Sequence, residues 1–187
     1  MALGDRPVEV LAGGGQQRDV VRLEPDGQHG VERQGGVLRA AAEPVFDAIG
    51  NRTIWVGEEP GQASALKLVV NSWLAVVAEG VAEALTAARV LGLDPQLFLE
   101  AVKGGGLDAP YVGLKGRAML EEAFEPTFTV AGGAKDAGLA LDAVAAMGLE
   151  PDELALVSAA REHLDRAVAE GHGDLDIAAT YLSHGTS

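Results

Sequence analysis

GQASALKLVVNSWLAVVAEGVAEALTAARVLG, residues 61–92, is the stretch that decides the fold. Leu66, Val69, Val70, Trp73, Leu74, Val77, Val81, Leu85 and Ala88 recur at helical spacing and make one wide apolar face, with Glu79, Glu83 and Arg89 on others. The pattern predicts one helix over 61–91, ended by Gly92 and roughly 45 Å long at about 1.5 Å per residue. Gly80 is expected to mark a bend or a close helix contact. Within this helix Lys67 and Asn71 stand at i and i+4, one above the other on one face, and Ser64 lies roughly on the same side. An ammonium and a carboxamide so placed can hold a carboxylate or carbonyl oxygen and exchange a proton with it. A lysine in such a helix can equally lay its stem on apolar surface and lift its charge to solvent.

Downstream, every segment reads as helix. Asp94-Pro95 supplies a cap and a first helical residue for a short helix to Val102. After the loop Gly104–Pro110, helices are expected from Tyr111 to about Ala123, broken by Pro126, and from Val130 to Met147, closed at Gly148. Asp152 is expected to cap a helix to about Glu170, and Asp174 or Asp176 a terminal one. Lys135 sits early in its helix beside Asp136; read from spacing alone, it is better explained as a solvated charge paired with Asp142 or a neighbour.

Upstream the character differs. VLRAAAEPVFDAIG, from Val37, reads as an amphipathic helix ending at Gly50, and NRTIWVG as one strand, Thr53–Val56, without partners to make a sheet. Residues 1–36 hold eight glycines and few apolar residues. PVEVLAGGG suggests one short strand and a turn at Gly13–Gly15, and Gln16–Gly36 reads as loop or disorder.

Composition narrows the function. Of the 187 residues 48% are apolar but only 4% aromatic, so the core is expected to be built from Ala, Leu and Val in close-packed helices. A net charge of −14 argues against nucleic-acid or anionic-membrane partners. Without cysteine there is no disulfide or thiolate chemistry. MALGDRPVEV carries charges where a signal peptide needs an apolar run, and the run Leu66–Val77, interrupted by Lys67, Asn71 and Ser72, is short for a bilayer span, so a cytoplasmic protein is expected. His29, His163, His172 and His184 show no metal-ligand spacing, no metal site is expected, and Asp174 and Asp176 read as caps before they read as ligands.

Taken together, RAAAEPVFDAIGNRTIWVG, GQASALKLVVN, AEALTAARVLGLDP, GGGLDAPYVGLKG, FEPTFTVAGGAKDAGLALDAVAAMGLEP and AVAEGHGDLDIAA, in this order over residues 37–187, resemble the β-hydroxyacid dehydrogenase family, which includes 3-hydroxyisobutyrate dehydrogenase. The resemblance implies a mainly α fold: the multi-helix C-terminal domain of the 6-phosphogluconate dehydrogenase-like type, with a short α/β piece before it. It divides the chain into irregular residues 1–36, a remnant of the closing end of a Rossmann domain at 37–60, and a helical substrate and dimerisation domain at 61–187.

The same resemblance implies roles. Lys67 matches the lysine that passes a proton to or from the substrate oxygen. Asn71 matches the asparagine that holds the substrate, with Ser64 on the same face, and Lys135 the lysine that closes over the cofactor near the nicotinamide. NAD or NADP, a small β-hydroxyacid or semialdehyde and a homodimer are the expected cofactor, substrate and assembly. The family's glycine fingerprint and substrate-loop motif have no match here, so the Rossmann half is expected to be truncated or missing and the chain as written to have little or no activity. The alternative is a dimerising helical domain without catalysis.

Overall fold

The computed structural model describes residues 10–12, 19–22, 42–46, 48, 52–56 and 61–185. They fall into two compact units that divide after Val70, inside one unbroken helix, α1 (Gln62–Val90).

The first unit contains a sheet of three strands, β1 (Val10–Ala12), β2 (Asp19–Arg22) and β3 (Arg52–Trp55), in that order. β1 runs antiparallel to β2, with Leu11 opposite Val20; β2 runs parallel to β3, with Val21 opposite Ile54. Two expectations are corrected. The strand at 53–56 begins one residue earlier and does have partners, and Asp19–Arg22, read as loop, is the middle strand. Val20 and Val21 carry the β-branched preference for a pleated surface, but a two-residue apolar run shows no period, and the parallel partner lies some thirty residues on. Residues 42–46 are helical, as expected. The turn at 13–15 and the Gly50 cap lie outside the described residues. Ala63 of α1 is buried with Val56 and Leu66 packed on it.

The second unit is all helix: the rest of α1, then α2 (Gln96–Val102), α3 (Pro110–Leu120) and α4 (Val130–Ala146). A 3-10 turn (Pro151–Leu154), α5 (Ala155–Ala167), a π turn (Val168–His172) and a 3-10 helix (Ile177–Ser183) follow. Its core has the small side chains that composition called for. Ala75 and Ala78 of α1 meet Val130 and Ala134 of α4, Ala160 and Leu164 of α5, and Ile177 and Ala179. A second cluster joins Val81, Ala82 and Leu85 to Leu99, Met119 and Ala178. Gly133 shows how close the packing is: a Cβ there would meet Ile177 Cδ1 at 2.8 Å and Leu164 Cδ1 at 3.2 Å. Gly80, by contrast, is exposed with nothing near its Cβ position, so the contact expected of it is not found.

By length and composition α1 would reach across a bilayer, which the shorter run read from the sequence would not. Its polar side chains Asn71 and Glu79 are buried and bonded to later elements of the protein. The helix therefore carries the core of a helical domain.

Among the described residues, chain reversals with a left-handed backbone fall on glycines, with one exception. Gly92 (φ +77°) ends α1 as expected: its N–H bonds Arg89 O at 3.0 Å and the Leu93 N–H bonds Ala88 O at 2.9 Å. α3 closes in the same way, through the Ala123 N–H to Ala118 O at 2.9 Å, but the left-handed position is Glu122 (φ +52°). The helix thus stops at Leu120, before the Pro126 expected to break it. A side chain in that region costs about 1–2 kcal/mol, partly offset by glycine's greater freedom when unfolded. Glu122→Gly is expected to stabilise the protein by about 0.5–1 kcal/mol, read as a higher urea midpoint at unchanged slope. An unchanged or lower midpoint would show that the glutamate side chain itself stabilises the turn.

The remaining ends differ in detail. Thr129 caps α4 by accepting the Gly132 N–H at 3.0 Å, and the Gln96 N–H bonds Asp94 Oδ1 at 2.9 Å. Asp152 lies inside the 3-10 turn and caps no α-helix; α5 starts at Ala155 and stops at Ala167, short of Glu170, where the π turn containing Gly171 (φ +94°) unwinds it. Asp176 is the cap of the last helix, accepting the Ala178 N–H at 3.0 Å.

Candidate functional site

Ser64, Lys67 and Asn71 occupy the first three turns of α1, where the apolar pattern forces a regular helix. Ser64 is exposed, Lys67 half-buried and Asn71 buried. Asn71 Nδ2 donates to Asp136 Oδ2 at 2.6 Å, a short bond to a charged acceptor. Lys135 Nζ stands 3.3 Å from Asp136 Oδ1, with 68% of its side chain exposed against 5% for the aspartate. One buried carboxylate of α4 therefore holds Asn71 with one oxygen and Lys135 with the other. Spacing alone did not single out Asp136; its place beside Lys135 was the one available signal. Asn71 keeps a second N–H and a carbonyl oxygen with which to meet a bound molecule.

Lys135 also lines an open groove of about 410 Å³ between α4 and α5, beside Ala131, Ala134 and Gly138, with Arg161 on its other side. Its small side chains leave room against the helix, and Asp142 and Asp165 line it as well, the latter 3.5 Å from Arg161.

Two more buried polar clusters hold the unit together. Lys115 Nζ donates to Asp176 Oδ1 at 2.7 Å, both residues being about 3% exposed. Thr127 gives Asp176 Oδ2 its backbone N–H at 3.1 Å and its hydroxyl at 2.8 Å. Burial by itself would raise the Asp176 pKa, but the bonds from Lys115, the Ala178 amide and Thr127 outweigh it and hold the carboxyl below its ordinary 3.8. Lys115 also lies 5.4 Å from the ring centre of Tyr111, whose hydroxyl burial and the Asp176 charge push well above the usual phenol range. The other cluster gathers Glu79, Thr180, His163 and His184, two histidines that sequence spacing left apart. His172 is half-buried in the turn before the last helix.

Comparison with known proteins agrees with this architecture. Over 142 residues the chain is 32% identical to an uncharacterized oxidoreductase of Bacillus subtilis, covering 75% of this chain and 48% of the relative. It is 30% identical over 142 residues to the chloroplastic glyoxylate/succinic semialdehyde reductase 2 of Arabidopsis thaliana, covering 76% and 38%. The chain thus spans less than half the length of these curated relatives. Among solved structures, a 3-hydroxyisobutyrate dehydrogenase of Mycobacterium tuberculosis with L-serine is similar with a TM-score of 0.73 at 28% identity, over 91% of this chain and 56% of that one. The mainly helical C-terminal fold expected from the sequence is the fold found, and NAD or NADP is the cofactor that goes with it. Residues 61–183, which contain α1, the Asp136 node and every residue of the other two clusters but His184, match the family described as the NAD-binding domain of NADP-dependent 3-hydroxyisobutyrate dehydrogenase, and the chain belongs to that family.

Proposed function

We propose that this chain supplies the helical part of an NAD(P)-dependent oxidoreductase acting between a small β-hydroxyacid and its semialdehyde. The observation that carries the reading is Asp136, which joins Asn71 of α1 to Lys135 of α4 through one carboxylate. One carboxylate thus links the two residues that the family resemblance assigns to substrate and cofactor, which supports the reading. NAD or NADP, when bound, takes up or gives up the hydride.

The residues present suit the nicotinamide end of that cofactor. Lys135 offers an exposed ammonium beside the small side chains of Ala131, Ala134 and Gly138. Among the described residues no glycine-rich strand-to-helix turn cradles a pyrophosphate, so those phosphates would be held by other residues. Lys67 takes the proton of the substrate hydroxyl, or returns it to the new alkoxide. A lysine does this well where burial or a second cation loosens its hold on the proton. Asn71 orients the oxygen with its second N–H, and Ser64, on an exposed turn of the same helix, bonds the substrate carboxylate. Glyoxylate and succinic semialdehyde, in the name of the plant relative, are acids of the size such a site takes. A cytoplasmic homodimer is part of the same proposal, as is little turnover from these residues alone.

A non-catalytic dimerising domain is the second reading, favoured by apolar side chains left in solvent: Trp73 is 66% exposed, and Val90 and Leu91 each 76%. Titration of the chain into NADH and NADPH, followed by their fluorescence, separates the two. Binding that weakens about tenfold or more in Lys135→Ala, the cost of a lost charged hydrogen bond, is the expected result. Failure of both nucleotides to bind would leave the dimerising domain as the better account.

A further inference from the structure

Glu79 is a carboxylate buried in the middle of α1, 4% exposed, far along the helix from the residues assigned to the reaction. Its described partners are Thr180, His163 and His184, with no lysine or arginine among them. A buried carboxylate with no lysine or arginine against it is expensive, because burial penalises its charge and no permanent cation opposes it.

The arrangement of those partners is directional. The Thr180 hydroxyl donates to Oε1 and so fixes which way the carboxylate faces. Oε2 then points at two imidazole nitrogens, His163 Nδ1 at 3.2 Å and His184 Nε2 at 2.9 Å. Both nitrogens face that one oxygen, and the rings meet edge to face, 69° apart with centres 4.9 Å from one another. One ligand atom from each residue lies within 4.8 Å of the other two.

We infer that Glu79, His163 and His184 form a binding site for a first-row divalent cation, Zn²⁺ in the first instance. Imidazole nitrogen and carboxylate oxygen bind zinc at about 2.0–2.2 Å, which puts tetrahedral ligands about 3.3–3.5 Å apart. The two oxygen–nitrogen separations of 2.9 and 3.2 Å reach that by shifts of a few tenths of an ångström, and the two ring nitrogens lie within 4.8 Å of each other. The cation displaces protons from the two ring nitrogens and supplies the positive charge that Glu79 lacks. Thr180 remains as the outer partner that orients the ligating carboxylate. His163, with 28% of its side chain exposed, is the ligand nearest solvent, and a water would complete the coordination. The three ligands come from α1, from α5 and from just beyond the last 3-10 helix, so the ion clamps the end of the described chain onto the core.

The test uses the whole chain, free of any histidine tag and stripped with a chelator. Zinc is titrated against a chromophoric competitor, and cobalt is added to a second sample for its visible spectrum. Expected are one zinc per chain, a thermal midpoint that rises with zinc concentration, and the intense visible bands of four-coordinate cobalt. His163→Ala, at the most exposed ligand, should lower zinc affinity at least tenfold, and Thr180→Val by about ten- to a hundredfold. Absence of stoichiometric binding by the folded wild-type chain would overturn the site. So would affinity unchanged in a His163→Ala chain whose circular dichroism is that of the wild type.

Discussion

Replacing Lys115 with methionine is expected to cost about 3–5 kcal/mol of stability, a large fraction of what holds a domain of this size folded. The lysine and Asp176 are both almost wholly buried and 2.7 Å apart, and methionine fills a similar volume without the charge. What is lost is therefore compensation of the buried carboxylate more than packing. Thr127 and the Ala178 amide still hold Asp176, which keeps the cost toward the lower end.

The effect carries a pH signature. The Asp176 carboxyl titrates below its ordinary 3.8 when folded, so its contribution is fully present above that value and is lost as pH falls through the lowered one. Lys115→Met removes a bond that lowers the native value, so the gap between variant and wild type should narrow on acidification from pH 7 to below 4. Adding Asp176→Asn, which keeps a side chain suited to capping Ala178, should recover much of the loss by discharging the site. Urea unfolding at several pH values measures all three. A Lys115→Met cost under about 1 kcal/mol, or one independent of pH, would show that the pair does little to hold the last helix.

Lys67→Ala is expected to lower kcat by about two to four orders of magnitude in a protein carrying this helical unit with a dinucleotide-binding domain. The nucleotide dissociation constant should change little. The expectation rests on the proposed proton transfer and has its own control. Lys67→Arg preserves the charge, but a guanidinium does not release its proton at working pH, so it should not rescue turnover. Full activity in the arginine variant would mean that position 67 only attracts an anionic substrate. Steady-state rates with both nicotinamides and a panel of short β-hydroxyacids distinguish these outcomes.

The parts of the molecule legible in the sequence are those whose cause is local. α1 announced itself through apolar residues at helical spacing and a glycine at its end, and it was found at Gln62–Val90. The cap at Asp176 was equally visible, because a short acid before an apolar run can bond the amide two residues on. What stayed hidden depends on distant partners. Asp19–Arg22 becomes a strand through Arg52–Trp55. Glu122 stands where a glycine would have marked the turn. Asn71 and Asp136 are 65 residues apart, and Glu79 lies 84 residues from His163 and 105 from His184, so no window of sequence shows them as neighbours.

Those long separations bear on how the protein is made. A ribosome that has reached Gly173 has already emitted Glu79 and Lys115 but not Asp176, Thr180 or His184. Until those residues emerge, Lys115 lacks its carboxylate and Glu79 has only His163 of its described partners, so both charges favour water over the core. Synthesis thus proceeds with the centre of α1 and the face of α3 unable to close, and final packing waits on about a dozen residues at the far end of the fold. The rate at which residues 174–185 are added, or a chaperone that shields α1 meanwhile, would then affect the yield of folded protein.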